Sequence, residues 1–258
     1  MNVLKKILPE FVQRPILNLQ KRVEHLEVSV RVLEMAVDAF IVNPKYVPGD
    51  DIGFNGQRWR KQIFKDVTSA ISFDSLVETG TWLGNTTGYM SQTAGRPVFT
   101  CELSPRFHAL AKMRLAGMDQ IHPSLGDSRK LLRELTRDSR VGENVFFYLD
   151  AHWYDDLPLA EEMDIVAGRW KQFVVMIDDF KVDDDPGYTY DDYGPGKALT
   201  LELLAPSIRK HNLSVFFPKA RAAEETGNRR GCVVLGSQGE MTRKLLQVPS
   251  LRQWTAPG

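Results

Sequence analysis

Beyond residue 56, short apolar segments alternate regularly with segments of helical pattern, and this alternation sets the fold. Seven segments have the length and composition of strands: residues 75–78, 98–102, 121–125, 145–150, 173–178, 213–217 and 232–235. Helical patterns lie between them, notably at residues 105–115, 128–136, 157–167 and 197–209. Such alternation predicts an α/β fold with a mostly parallel sheet and helices on both faces. No long helical pattern joins the last two strands, so we expect them to form a C-terminal antiparallel hairpin.

The first 45 residues carry a heptad pattern instead. Ile16, Val23, Val30 and Val37 fall at position a, and Leu19, Leu26, Leu33 and Phe40 fall at position d. β-Branched residues at a with leucine at d favour a parallel two-stranded coiled coil. The alternative is an amphipathic helix packed on its own domain, since Val28, Val32 and Met35 lie outside the seam.

A linker separates this segment from the alternating region. Residues 43–56 contain two prolines and three glycines, a composition typical of a connecting loop. The sequence therefore predicts a helical oligomerisation segment at residues 1–45 and one larger domain at residues 46–258. We expect the chain to form a homo-oligomer through its N-terminal helix.

Composition excludes several classes of partner. Lysine plus arginine and aspartate plus glutamate both number 33, so the chain lacks the basic excess typical of nucleic-acid-binding proteins. It has no apolar run of the roughly 18–20 residues that a membrane-spanning helix needs. Cys101 and Cys232 do not suggest a disulfide framework, and a reduced Cys101 in an apolar run favours a cytoplasmic setting.

The turn after the first predicted strand has the features of a cofactor site. Gly80 and Gly84 allow a ligand to approach the backbone closely, and the helix that begins near Asn85 offers free N–H groups. Glu102 ends the next strand, where an acidic side chain can bind a ribose diol. A tight turn without a ligand is the alternative. The glycine spacing differs from the G-x-G-x-x-G of nicotinamide-cofactor enzymes, which disfavours an oxidoreductase.

Glu78-x-Gly80-x-x-x-Gly84 resembles motif I of class I S-adenosylmethionine (SAM)-dependent methyltransferases, with Trp82 where a glycine is commoner. The resemblance covers roughly residues 56–237 and implies a Rossmann-like sheet that binds SAM. It implies that Glu102 binds the ribose and that the Gly126-Asp127-Ser128 segment contacts the adenine. The full set of cofactor-binding candidates is Glu78, Gly80, Thr81, Gly84, Asn85, Thr86, Glu102, Asp127 and Ser128.

Aspartates end two neighbouring predicted strands. Asp150 follows the fourth strand, and Asp178 and Asp179 follow the fifth. Because adjacent parallel strands end at the same edge, we expect these carboxylates to lie together. A hard cation such as Mg²⁺ would balance their charge. The alternative is a common strand-end acid followed by a turn.

The segment Leu149-Asp150-Ala151-His152-Trp153 resembles the Leu-Asp-His-Trp of catechol O-methyltransferase, with one residue inserted. The pair Asp178-Asp179 matches that enzyme's Asp-Asn metal pair and is similar to the pair in sugar O-methyltransferases of the macrocin type. The resemblance implies Asp150, Asp178 and Asp179 as metal ligands.

The catalytic base is less directly implied. Tyr154 occupies the position where catechol O-methyltransferase has a lysine base. We therefore expect His152 or Asp150 to take the proton from an acceptor hydroxyl, since a histidine titrates in the appropriate pH range.

An acidic loop, residues 183–196, is rich in aspartate and tyrosine and follows the Asp178-Asp179 pair. Its tyrosines, together with the aromatic residues after His152, give the substrate-binding candidates Trp153, Tyr154, Tyr188, Tyr190 and Tyr193. Such side chains stack on and hydrogen-bond a polyhydroxylated ring. A mobile surface loop is the alternative.

Together these features predict a metal-assisted, SAM-dependent O-methyltransferase that acts on a hydroxyl of a sugar or glycosylated metabolite. A phenolic or catechol acceptor is an alternative substrate. A non-catalytic oligomeric scaffold that binds SAM is an alternative function.

Overall fold

The computed structural model describes residues 53–152 and 156–255, together with nine positions between residues 18 and 30. The chain divides into two units, Met1–Pro44 and Lys45–Gly258. The nine described positions of the first unit are helical and exposed. Most of the predicted heptad pattern lies outside the described residues. No helix in the described part of the chain has both the length and the apolar character needed to cross a membrane.

The second unit is built on one eight-stranded sheet. Its strands are β1 (Ser75–Thr79), β2 (Val98–Glu102), β3 (Ile121–Leu125), β4 (Asn144–Leu149), β5 (Gln172–Ile177), β6 (Ser214–Pro218), β7 (Val233–Gly236) and β8 (Leu251–Gln253). Their order across the sheet is β3-β2-β1-β4-β5-β7-β6-β8. The first five strands are parallel, whereas β7 runs antiparallel to both of its neighbours and β8 runs antiparallel to β6.

Seven α-helices in the described part of the second unit flank these strands. They are α1 (Arg58–Ala70), α2 (Asn85–Ala94), α3 (Pro105–Arg114), α4 (Ser128–Leu135), α5 (Leu159–Arg169), α6 (Leu201–His211) and α7 (Glu240–Leu245). The helices α3 and α4 begin where the sequence predicts, whereas α6 begins four residues after its predicted start. Ser104 caps α3, Asp127 caps α4 and Thr200 caps α6, each through a side-chain oxygen that accepts from a backbone N–H.

The predicted Rossmann-like α/β fold is confirmed. Each of the seven predicted strands is present, with ends that differ by no more than one residue from the prediction. The C-terminal antiparallel pair is also present, with β7 inserted between β5 and β6. The predicted strand number was wrong, because β8 adds an eighth strand. Its three residues are too few to produce a recognisable alternation of apolar and polar positions.

Apolar side chains cover both faces of the sheet. Val77, Phe147 and Val175 belong to one buried cluster, and the residue that precedes each of them in its strand belongs to a second. Successive side chains of a strand point to opposite faces. The central strands are therefore buried on both sides, which is why they appear in the sequence as unbroken apolar runs.

The strand order places a crevice at the ends of β1 and β4. The chain leaves β1 towards β2 on one side and returns to β4 on the other. In open α/β sheets, ligands bind at this point of reversal, beyond the carboxyl ends of the strands. Thr79 pairs with Leu149, and Leu149 pairs with Ile177, so Gly80, Asp150 and Asp178 follow three aligned strand ends.

We predict that Trp170→Ala lowers the free energy of unfolding by about 3–5 kcal/mol. The Trp170 ring is buried, packs edge-on against Phe147 at 5.1 Å and donates from Nε1 to the Gly142 carbonyl at 3.1 Å. Urea denaturation measures the change. The control is Leu246→Ala at an exposed position, which should cost about 0.5 kcal/mol or less. Equal losses in both variants would contradict the assignment of Trp170 to the core.

Candidate active site at the edge of β1 and β4

The turn after β1 lies directly against the end of β4. Gly80 has φ +88° and Gly84 has φ +76°, a left-handed conformation that favours glycine. A Cβ built on Gly80 would overlap the backbone carbonyl of Asp150, and one built on Gly84 would come within 2.8 Å of Leu115 Cδ1. Both glycines are therefore required by close packing as well as by backbone conformation.

Trp82 adopts a left-handed backbone conformation of the kind that glycine favours. Its φ is +46°, which is strained for a bulky residue. Its N–H donates to Glu102 Oε2 at 2.8 Å, and the N–H of Ser104 donates to Glu102 Oε1 at 2.8 Å. These bonds fix the half-buried Glu102 carboxylate beside the turn. Each carboxylate oxygen can accept a further hydrogen bond from a ligand hydroxyl.

Glu78 and Thr81 lie beneath the turn. Glu78 is 1% exposed and accepts hydrogen bonds from the hydroxyls of Thr87 and Thr100, at 2.5 and 2.7 Å. Burial raises the pKa of Glu78 to about 7. The Thr81 hydroxyl is buried and bonded to that of Thr100 at 2.6 Å. The structure therefore places both predicted cofactor residues where they support the turn, with their side chains turned inward.

The first turn of α2 faces the crevice. Its N-cap is Gly84, which has no side chain to satisfy the free N–H groups of the helix. Thr86 Oγ1 accepts from the Phe54 N–H at 3.0 Å, while Asn85 Oδ1 is buried without a hydrogen-bond partner among the described residues. The backbone of this turn can thus bind an anionic group.

Asp127 caps α4 and forms an ion pair with Arg129. Hydrogen bonds from Arg129 hold the pKa of Asp127 below its usual value. Ser128 follows as a buried residue. The Asp127 carboxylate is therefore already engaged by Arg129 and by the N-terminus of α4. A ligand at this position would contact mainly the backbone after Gly126.

Asp150, His152 and Asp179 converge beside this turn. Each offers one potential ligand atom, and these atoms lie within 4.8 Å of one another. His152 is 2% exposed, and its Nε2 lies 4.0 Å from Asp150 Oδ1. Neither ring nitrogen has a hydrogen-bond partner among the described residues. Burial lowers the pKa of His152, whereas burial and the adjacent Asp179 carboxylate raise the pKa of Asp150.

The structure does not bring Asp178 into this cluster, in contrast to the predicted triad. Asp178 is fully buried and forms an ion pair with Arg60, which is 1% exposed. Its carboxylate also accepts from the hydroxyl of Tyr148, from Asn55 Nδ2 at 3.2 Å and from the Asp179 N–H at 2.6 Å. The charge of Asp178 is thus balanced by Arg60 inside the protein, and its side chain forms part of a buried hydrogen-bond network.

Sequence reasoning missed two arginines of the site. Arg60 lies on α1 and donates to the carbonyls of Arg230 and Gly231 as well as pairing with Asp178. Arg230 donates from Nε to Asp179 Oδ1 at 2.6 Å and from Nη2 to Asp191. Neither arginine lies in a recognisable motif, so only the folded chain reveals these pairs.

The acidic loop reaches the site through Asp191 and Tyr193. The Tyr193 hydroxyl donates to Asp191 and lies 3.3 Å from the carbonyl of His152. Tyr190 lies outside this contact, with Lys181 Nζ 5.9 Å from the centre of its ring.

The three remaining aromatic candidates are Tyr188, Trp153 and Tyr154. Tyr188 is buried in the core and donates to the Ala220 carbonyl at 3.1 Å. Its ring therefore does not face an acceptor, in contrast to the prediction. Trp153 and Tyr154 lie outside the described residues.

The fold is similar to that of solved O-methyltransferases. One from Bacillus cereus, in complex with SAH, aligns with a TM-score of 0.50 and 15% identity over 81% of this chain and 89% of its own. TomG from Streptomyces achromogenes, involved in tomaymycin synthesis and in complex with SAM, gives 0.50 and 14% over 81% and 90%. No family model matches the chain, and no curated protein matches it. The chain therefore has the fold of these O-methyltransferases.

We predict that Arg60→Met lowers the free energy of unfolding by about 3–5 kcal/mol, because it leaves the Asp178 carboxylate buried without its counter-charge. Thermal and urea denaturation measure the loss. The control is Arg133→Met, which removes a surface ion pair with Glu161 and should cost about 1 kcal/mol or less.

A second substitution tests the cause of this loss. Adding Asp178→Asn to Arg60→Met removes the unpaired charge, so the double variant should recover part of the stability. A double variant no more stable than Arg60→Met would show that lost packing, and not the buried charge, dominates.

Proposed function

We propose that the protein is a SAM-dependent O-methyltransferase whose acceptor hydroxyl binds at Asp150, His152 and Asp179. The observation that carries this proposal is the contact between the Gly80 turn and the Asp150 carbonyl. A cofactor bound along this turn would have its reactive end beside the cluster. Methyl transfer needs this proximity, because the attacking oxygen must lie in line with the methyl group.

The crevice offers partners for each part of SAM. Glu102 has a fixed carboxylate that can accept hydrogen bonds from the ribose hydroxyls. The open N-terminus of α2 can bind the carboxylate of the methionine moiety. The Asp127-Ser128 segment lies after β3, where the resemblance to class I methyltransferases implies the adenine. The carboxylates of Asp150 and Asp179 would attract the positively charged sulfonium.

The cluster also suits activation of an acceptor hydroxyl. Asp150 and His152, the two candidate bases, both belong to the cluster, so a hydroxyl bound there has a proton acceptor nearby. A divalent cation held there would lower the pKa of the hydroxyl and orient it. The sequence suggested Mg²⁺ for this role.

We propose a sugar or other polyhydroxylated acceptor. Polar side chains lie around the cluster. Asp191 and Tyr193 come from the acidic loop, and Arg230 binds Asp191. Such groups match the many hydroxyls of a carbohydrate better than the flat apolar ring of a phenol. A phenolic acceptor is the alternative that the acceptor assay distinguishes.

Isothermal titration with SAM tests the cofactor assignment. We expect the wild type to bind SAM and Glu102→Gln to bind it roughly tenfold more weakly, because the charged acceptor of the ribose hydroxyls is lost. Glu134→Gln, at an exposed position on α4, is the control and should bind as the wild type does. An absence of SAM binding by the wild type would refute the proposed function.

Transfer of a labelled methyl group from SAM to a panel of sugars, glycosides and catechols tests catalysis. We expect labelled sugar products. Catechol products would instead favour the phenolic acceptor, and SAM binding without transfer to any of these acceptors would favour the scaffold.

We further propose that the N-terminal helix pairs with that of a second chain. Four described positions of the heptad seam are exposed: Leu19, Val23, Leu26 and Val30. Removal of residues 1–42 should reduce the molar mass measured by light scattering from a dimer to a monomer, without loss of SAM binding. An unchanged oligomeric state would contradict this proposal.

A further inference from the structure

A histidine takes the place of one predicted carboxylate in the cluster, and this changes which cation the cluster suits. We propose that Asp150, His152 and Asp179 form a divalent-cation site that prefers a transition metal such as Mn²⁺ or Co²⁺ to Mg²⁺. The catalytic role of this cation rests on the proposed function, but the site itself is argued from its own geometry.

The spacing of the side chains is close to that of ligands on one ion. Nε2 of His152 lies 4.0 Å from Asp150 Oδ1, and the ligand atoms of all three residues lie within 4.8 Å. Two ligands at about 2.1 Å from a metal are separated by roughly 3–4 Å. Small side-chain rotations would therefore bring the three groups onto a shared cation.

His152 provides an independent indication of a ligand. The ring is 2% exposed, yet neither nitrogen has a hydrogen-bond partner among the described residues. A buried polar group without a partner costs about 1–3 kcal/mol. A cation beside Asp150 would give one ring nitrogen the partner that it lacks.

Asp178 is not available as a ligand of this cation. Arg60 balances its charge, and the hydroxyl of Tyr148 and the amide of Asn55 occupy its remaining acceptor positions. Recruitment of Asp178 to a metal would leave the buried Arg60 guanidinium without its counter-charge. His152 carries no such cost.

The charges around the site match a divalent cation. Asp150, Asp179 and Asp191 contribute three negative charges, and Arg230 contributes one positive charge through its pairs with Asp179 and Asp191. The formal balance is minus two when His152 is neutral. Because Arg230 binds Oδ1 of Asp179, the second oxygen of that carboxylate is left for a metal.

The ligand types select the metal. Mg²⁺ prefers an all-oxygen environment, whereas imidazole nitrogen suits later divalent metals. For a mixed nitrogen and oxygen site, affinity rises from Mn²⁺ to Co²⁺. The expected order of affinity is therefore Mg²⁺ below Mn²⁺ below Co²⁺.

Metal binding to the full chain tests the proposal without an activity assay. Metal-free protein is titrated with Mn²⁺, and loss of the electron paramagnetic resonance signal of free Mn²⁺ reports binding. We expect one Mn²⁺ per chain, displaced by Co²⁺ and bound at least roughly tenfold more tightly than Mg²⁺. Pulsed measurements on bound Mn²⁺ should show coupling to a nitrogen nucleus.

Substitution of the histidine identifies the ligand. His152→Ala should weaken Mn²⁺ binding by roughly tenfold or more and abolish the nitrogen coupling. The control is His211→Ala, which removes a histidine that also lies beside an aspartate, with Nε2 2.9 Å from Asp164 Oδ1. This control should leave both the affinity and the coupling unchanged.

Several outcomes would overturn the proposal. These are no Mn²⁺ binding by the wild type, equal affinities for Mg²⁺ and Mn²⁺, or unchanged Mn²⁺ binding and coupling in His152→Ala. Circular dichroism of His152→Ala establishes that the variant is folded. Mn²⁺ binding by a protein that does not bind SAM would support the cation site while refuting the proposed methyltransferase function.

Discussion

Asp178 and Arg60 meet in the interior, and their ion pair joins parts of the chain that are distant in sequence. Arg60 comes from α1 and also binds the carbonyls at the start of the segment that leads into β7. Asp178 ends β5 and accepts from Tyr148 on β4. Two charges without exposed surface are tolerated only when they are paired and hydrogen-bonded. The helix, both strands and the approach to β7 are therefore held in one relative position, and Asp179, the next residue, is held with them.

The candidate cofactor turn and the candidate cation site share one support. Gly80 lies against the Asp150 carbonyl, and the Asp150 N–H donates to the Thr79 carbonyl at 3.0 Å. Displacement of either strand end would therefore move both sites. In the proposed methyltransferase, this shared support would hold the methyl donor and the acceptor at a fixed separation, which is the positioning that a transfer reaction requires.

The sequence predicted the sheet well because each central strand is buried on both faces and so appears as a short apolar run. It also predicted that Asp150 and Asp179 would lie together, since both follow adjacent parallel strands. It could not predict the partner of Asp178, because no local pattern shows that Arg60 is buried. The burial of the Tyr188 side chain could not be predicted either, because the sequence of an acidic loop does not indicate which of its tyrosines face the core. The residue inserted between Asp150 and His152 was visible, but its consequence, a histidine inside the cluster, depends on the backbone path.

The short strand β8 lies along the outer side of β6, where Phe216 pairs with Gln253 and Phe217 with Arg252. All five residues of β6 are buried. Without β8, the backbone groups on that side of β6 would face water beside two phenylalanines, an arrangement that invites pairing with another molecule. Arg252 places a positive charge on the new edge and forms an ion pair with Asp184 at 2.5 Å. By covering an apolar strand and ending the sheet with a charged residue, β8 has the features that oppose edge-to-edge aggregation.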